Sequence, residues 1–400
     1  MPTTLRAPGA APAPGTAAAA LALAALLSPA HASSNFIPLH SADPAVLARD
    51  AGGVSADGSI VVGTAITPAG SRAFRWTAAT GVTLLPTLAD SQDDLSYAAA
   101  ISDDGSTVAG LYYDNPDIGF GAVWNGSGSA PTDIDPAAPL GSLTSIAGAN
   151  ADGSVLVGFT AQPTTPLPFR WTESAGLQTL GLLPGDDRGF ARAVSSDGRI
   201  AVGYSDTAGS ASGPRLPVRW TPDGTPQALT TPTSDFLGAE AHAVDADGDT
   251  IAGSVDLGQT DGLEQAFRWT EAGGFSLLQD LPGGENTSAV LAMSDDGSVL
   301  AGYGFDNDEN RADAVLWIDS DRPRKLADIL TNDFGADLTG WRLTLIRDIS
   351  PDGRFIVGDA INPAGDEQAF LAIIPGPGTA ALAIFATAAA ARLRTRAPLA

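Results

Sequence analysis

The sequence predicts an all-β fold: a seven-bladed β-propeller built from four-stranded blades. Three observations carry that expectation. A nine-residue string, Ser-x-Asp-Gly-x-x-x-x-Gly, occurs seven times with little variation. A second string, most often centred on Trp, follows each copy. The opening of the mature body also matches the strand that the last repeat lacks.

The first string reads SADGSIVVG from Ser55, SDDGSTVAG from Ser102, NADGSVLVG from Asn150 and SSDGRIAVG from Ser195. It continues as DADGDTIAG from Asp245, SDDGSVLAG from Ser294 and SPDGRFIVG from Ser350. Successive copies start 47, 48, 45, 50, 49 and 56 residues apart. The second string reads AFRWT at Ala73, AVWNG at Ala122, PFRWT at Pro168 and PVRWT at Pro217. It then reads AFRWT at Ala266, AVLWI at Ala314 and AFLAI at Ala369. Its Trp is Trp76, Trp124, Trp171, Trp220, Trp269 and Trp317 in turn, and Ala372 stands in the seventh copy.

Each unit reads as four short strands. The first runs into the Asp-Gly turn at Asp57, Asp104, Asp152, Asp197, Asp247, Asp296 or Asp352, where Gly supplies the positive φ of a tight hairpin. The second is a continuous apolar run such as Ile60-Val61-Val62, the mark of burial on both faces. The third alternates, with Phe74 and Trp76 on one face and Ala73 and Arg75 on the other. A turn at Ala78–Gly81 leads to the fourth, Val82–Leu85. Such a unit cannot bury its own faces and must stack on neighbours.

The seventh unit has no fourth strand after Ala369–Ile374. Phe36-Ile37-Pro38-Leu39, however, resembles Leu84-Leu85-Pro86 of the first unit. Pro38 precedes Ser55 by 17 residues, as Pro86 precedes Ser102 by 16. A blade shared by both ends closes a ring and leaves no bare edge. The alternative, an open β-solenoid, would need capping repeats.

Composition agrees. The 46 Gly and 29 Pro in 400 residues oppose a helical bundle, and apolar residues at 44% are enough for a core. Cysteine is absent, which removes disulfides, thiolate metal sites and a Cys nucleophile. Outside the first 32 residues the histidines are His40 and His242, and neither sits in a nucleophile motif. The net charge of −25 opposes nucleic-acid binding.

The ends read as addresses. Residues 1–32 form a signal peptide: Arg6, an apolar run from Ala17 to Leu27, and Ala30-His31-Ala32 before Ser33, with cleavage between Ala32 and Ser33. Residues 375–400 combine Pro375-Gly376-Pro377, a 13-residue apolar stretch Thr379–Ala391, and Arg392, Arg394 and Arg396. A helix of that length spans about 20 Å, short of the ~30 Å hydrocarbon core, so it suits a transient anchor. This order resembles the PEP-CTERM sorting tail, with Gly376 where the family carries Glu. The resemblance implies retention at the inner membrane and an exosortase-like processing enzyme as partner. The body, residues 33–374, keeps 17 basic against 46 acidic residues.

Units reading AFRWT…LL…LPGG…SDDGSVLAG resemble the HAF repeat of bacterial extracellular proteins across Phe36–Ile374. The family's opening His is missing; Ser71, Gln265 and Asp313 sit near its place. The SPDGRFIVG copy also resembles the repeat of TolB-like propellers, which implies the same fold. Neither resemblance implies a reaction or a cofactor.

Alternating connections place the tight turns on one face of the ring and the long, varied loops on the other. Variable loops on a rigid scaffold are where binding normally sits. The candidate ligand contacts there are Tyr112, Tyr113, Tyr204, Tyr303, Phe305 and Trp341. Aromatic rings beside carboxylates suit sugars, cations or peptides. The bland alternative is that these rings pack the loops. Asp306, Asp308 and Glu309 form an acidic cluster that could hold calcium. Asp245-Ala246-Asp247-Gly248-Asp249 resembles a calcium loop but has Ile251 where the bidentate Glu belongs, so it reads as a turn.

The arginines Arg75, Arg170, Arg219 and Arg268 recur at one blade position and read as packing residues. No catalytic constellation is evident. The sequence thus points to an exported module, on the cell surface or in the extracellular matrix of a bacterium, that binds a glycan or protein. The alternatives are a polysaccharide hydrolase or lyase using loop-face carboxylates, and a calcium-stabilised matrix protein.

Overall fold

The computed structural model describes residues 35–87, 95–115, 118–126, 128–136, 142–161, 165–207, 215–229, 236–258, 264–283, 287–306, 311–318 and 321–374. Residues 1–34 and 375–400, where the signal peptide and sorting tail are expected, lie outside them, as do Asp308 and Glu309. All described residues fall in one compact unit that begins at Asn35.

Within that unit the repeats form seven blades. Blade 1 is the antiparallel sheet Leu47–Val54, Val61–Thr67, Gly70–Thr77 and Gly81–Leu84. Blades 2 to 6 repeat it, with innermost strands Ser96–Ile101, Leu143–Ala149, Arg188–Val194, Gly238–Val244 and Ser288–Met293. Blade 7 contributes Arg342–Ile349, Phe355–Ile361 and Glu367–Ile373, and its fourth strand is Phe36–Pro38. Phe36 faces Ala372, Ile37 faces Leu371 and Pro38 faces Phe370. The Ile373 N–H donates to the Asn35 carbonyl at 2.9 Å, and the Leu39 N–H to that of Ala369 at 3.0 Å. Pro38 has no N–H to offer, which an edge strand tolerates.

The repeated string builds the turn. The Ser55 hydroxyl accepts from the Ile60 N–H at 3.0 Å and donates to Asp57 at 2.9 Å. Asp57 in turn accepts from the Ser59 N–H at 2.9 Å. Asn150 does the same work through its amide, accepting from Val155 at 2.8 Å and donating to Asp152 at 2.9 Å. Asp245 accepts the N–H groups of Gly248 and Thr250, both at 2.9 Å. Its two oxygens are thus turn acceptors, as the turn reading of that segment expected.

The turns also lock the blades together. The backbone N–H of Ala56 donates to the Asp103 carbonyl, Asp103 to Ala151, Ala151 to Ser196, Asp197 to Ala246, Ala246 to Asp295 and Asp295 to Pro351. Pro351 cannot donate onward, so this chain of bonds stops at the seam between blades 7 and 1. Two carboxylates of blade 7 serve that seam instead. Asp348 accepts the Val54 N–H at 2.9 Å, and Asp359 accepts that of Ala51 at 3.0 Å.

Each Trp packs toward the preceding blade. The indole N–H of Trp124 donates to the Pro86 carbonyl at 2.8 Å, that of Trp220 to Gly181 at 2.7 Å and that of Trp317 to Gln279 at 3.0 Å. The residue before the Trp position reaches the other way, to the next blade. Arg219 lies over the Trp269 ring at 5.2 Å, Arg170 donates to the Gly198 carbonyl, and Leu371 shares a core cluster with Trp76. Blade 7 has Ala372 in place of Trp. Ala372 shares its cluster with Phe36 and with Leu326, Ile329 and Leu330 of the short helical segment Leu326–Asp333. Those side chains supply the apolar volume a Trp gives elsewhere.

Candidate site at the axial channel and long-loop mouth

Every innermost strand carries a β-bulge at one register. The pairing slips between Ala51 and Gly53, Ala98 and Ala100, Ile146 and Gly148, and Ala191 and Ala193. It slips likewise between Ala241 and Ala243, Val290 and Ala292, and Ile346 and Asp348. A bulge leaves its extra residue out of the ladder and re-aims the side chain. The extra residues are Gly52, Ala99, Ala147, Arg192, His242, Leu291 and Arg347, and all seven line an axial cavity of ≈ 200 Å³. The last Gly of each nine-residue string makes room for the bulge. A Cβ on Gly203 would lie 1.9 Å from the Phe190 carbonyl oxygen, and one on Gly358 2.0 Å from that of Leu345.

Toward the turn face, Asp103, Ser196, Asp295 and Asp348 also line the channel. The Ser196 hydroxyl donates to Asp295 at 2.6 Å. Burial pushes Asp348 up to about 7, against the opposing Val54 N–H. Burial, then the charges of Asp295 and Asp104, pushes Asp103 up to about 6. Burial pushes His242 down to about 4, opposed by Glu240, so the imidazole is neutral near pH 7. Its Nε2 lies 3.3 Å from the Ser254 hydroxyl.

The unfolded carboxyl titrates near ~3.9, so folded Asp348 holds its proton to higher pH than the unfolded chain does. The stability that this group contributes is full below ~4 and is lost as pH rises through about 7. Asp348→Asn is therefore expected to gain melting temperature relative to the parent between pH 5 and pH 8. A difference that stays constant across that range would mean Asp348 does not hold a proton there.

At the long-loop mouth, a polar and aromatic cluster spans blades 3, 4 and 5. Tyr204 stacks on Phe190 at 5.0 Å, and Phe190 meets Phe159 at 4.6 Å. Arg192 and Arg215 lie over Tyr204 at 5.5 and 5.3 Å. Arg192 pairs with Glu240 at 3.2 Å, Arg215 pairs with the same carboxylate, and Arg188 donates to Asp206 at 2.8 Å. Burial, then the Glu240 charge, pushes the Tyr204 hydroxyl up to about 12. The side chain of Arg215 is 48% exposed, and Leu237, 62% exposed, neighbours it through Gly238.

The predicted aromatic contacts fall in several places. Tyr112 is 1% exposed and sits in the core with Leu85 and Ala98, so it packs the blade rather than facing a ligand, and the expectation for it is corrected. Tyr204 is 6% exposed; it belongs to the mouth cluster, with its faces already covered. Tyr113 meets Tyr97 edge-on at 6.2 Å, and Tyr303 meets Phe305 edge-on at 6.2 Å. Burial, then the charges of Glu264 and Glu240, pushes the Tyr303 hydroxyl above its ordinary value. Trp341 packs edge-on against Phe36 at 5.1 Å, at the closing strand.

Asp306 and Asp313 both pair with the Lys325 ammonium. Burial works against that ammonium, but hydrogen bonds to the two carboxylates raise its proton affinity. A lysine thus occupies the place of a cation at Asp306. Among the described residues, no group of three or more His, Asp or Glu side chains is arranged to hold a metal ion.

Sequence reasoning missed Arg188, Arg192, Arg215, Asp206, Glu240 and Leu237. A signal existed at one of them. Arg192 stands where most other repeats carry a small or apolar residue.

No protein-family model matches the chain, and no curated protein does. Solved structures resemble it in fold. Oligogalacturonate lyase from Vibrio parahaemolyticus is 14% identical over 85% of this chain and 96% of that one, with a TM-score of 0.56. An oligogalacturonate lyase in complex with manganese is 13% identical over 83% and 90%, with a TM-score of 0.54. TolB from Acinetobacter baumannii is 12% identical over 80% and 65%, with a TM-score of 0.43. The chain is a β-propeller. At these identities the likeness concerns the fold alone.

Proposed function

We propose that this protein is an exported, surface- or matrix-associated binding module without catalytic activity. Its ligand, a glycan or a protein segment, engages the long-loop face. The observation that carries the reading is the mouth cluster: Arg192 and Arg215 over the ring of Tyr204, with exposed Leu237 one residue before Gly238, which bridges to Arg215. Half-exposed guanidinium groups on an aromatic base, next to an apolar side chain, form a recognition surface typical of binding hot spots. Asp206, Glu240, Asp306 and Asp313 are held in ion pairs by arginine or lysine. That arrangement favours recognition over the proton transfer a hydrolase or lyase needs. The resemblances to the HAF repeat and the sorting tail support export and surface retention.

The test is a glycan and peptide array probed with the parent and with Arg215→Ala. Ligands of the parent are expected to lose at least about tenfold in affinity in the variant. An array with no ligand, or ligands indifferent to Arg215, would count against this face.

A further inference from the structure

We propose a second binding site, for a neutral oligosaccharide, in the groove between blades 2 and 3 on the turn face. It arises where one repeated blade position changes its residue. In blades 1, 3, 4 and 5 the residue before the Trp is Arg75, Arg170, Arg219 or Arg268. Arg219 shows its use, because its guanidinium lies over Trp269 of the next blade. Leu371 shares a core cluster with Trp76, and Val123 likewise packs with Trp171. In blade 2 this residue is Val123, which is shorter and uncharged.

The next Trp is Trp171, and it is left partly open. Trp76, Trp124, Trp220, Trp269 and Trp317 are all 7% exposed or less, whereas Trp171 is only half-buried. Trp171, Val123 and Ile134 form the apolar floor of a groove of ≈ 940 Å³. Its rim offers hydrogen-bonding side chains that face solvent, among them Asn125, Thr132 and Ser154.

This chemistry selects the ligand. A partly open indole offers a platform for a flat apolar surface, and the C–H face of a pyranose is one. Hydroxyl and amide groups around the platform suit the ring's equatorial hydroxyls. Among the described residues, the lining side chains include Asp152 and Glu173 and no Lys, Arg or His. A carboxylated, sulfated or phosphorylated chain would meet negative charge with nothing to pair it. The groove lies on the face opposite the long-loop mouth, so its success or failure is independent of that site.

The experiment titrates the full chain with cellohexaose, laminarihexaose, maltohexaose and N-acetylchitohexaose by calorimetry. At least one is expected to bind with a Kd of about 1 mM or tighter. Val123→Arg, which places here the guanidinium that lies over Trp269 between blades 4 and 5, is expected to weaken that binding at least about tenfold, and a melting curve of the same variant separates this from the cost of a charge at a position 5% exposed. Trp171→Phe keeps a ring and the fold, and is expected to weaken it about threefold. Absence of binding by all four sugars overturns the proposal. So does binding that survives both substitutions unchanged.

Discussion

Leu39→Asp is expected to cost at least about 5 kcal/mol of stability, enough to unfold much of the population of a marginally stable domain. Leu39 is fully buried at the seam, in a cluster with Trp76, Val357 and Leu371. Its carbonyl accepts from the Gln368 side chain at 3.0 Å, and its N–H reaches Ala369. Its side chain sits among apolar residues, so a carboxylate there would lose its hydration. The seam also has fewer turn bonds than the other blade junctions, because Pro351 ends the backbone chain. Leu39→Ala should cost about 2–5 kcal/mol by cavity formation alone. Leu237→Asp, at an exposed position, should change stability by less than about 0.5 kcal/mol. Urea unfolding of the three variants gives the comparison. A parent-like midpoint for Leu39→Asp would show that the first and last strands do not hold the ring closed.

Gly203→Ala is expected to cost about 3 kcal/mol, the upper range for overpacking. The added methyl would lie 1.9 Å from a backbone carbonyl, and neither strand can move without opening the bulge. Gly176→Ala supplies the control. Gly176 has φ of 69°, and a methyl added there would meet nothing within 4 Å, so only the left-handed backbone cost of about 1 kcal/mol applies. The bulge facing Gly203 carries Arg192, so Gly203→Ala should also weaken ligands of the long-loop mouth. Equal midpoints for the two alanine variants would remove the steric account of the repeated glycine.

Much of this architecture was legible before any coordinates. The Asp-Gly turns and the number of blades are written in residues close together in the chain, and the closing strand follows from counting, because the seventh repeat lacks a fourth strand and Phe36–Leu39 resembles one. The second glycine of the string was visible but had no reason attached. Its reason is a carbonyl on the neighbouring strand, placed there by a bulge that leaves no sequence signature of its own. The aromatic residues of the long loops were harder still. Tyr112 and Tyr204 look alike as letters, yet one packs between blades and the other underlies two arginines. The opening at Trp171 depends on Val123, 48 residues earlier, and is read only once blade 2 is known to stand beside blade 3.

The sequence by itself determined how many blades form and how each turns, because local hydrogen bonding and apolar periodicity act over a few residues; the sealing strand was legible only by its likeness to the strand the seventh repeat lacks. The tertiary structure alone decided which side chains are displayed. The channel, the arginine cluster and the Trp171 groove are made across blade boundaries, and at the seam the Asn35 side chain donates to the carbonyl of Ile373, 338 positions away. Exposure there is set by whichever neighbour the fold brings alongside, and no window along the chain contains both partners.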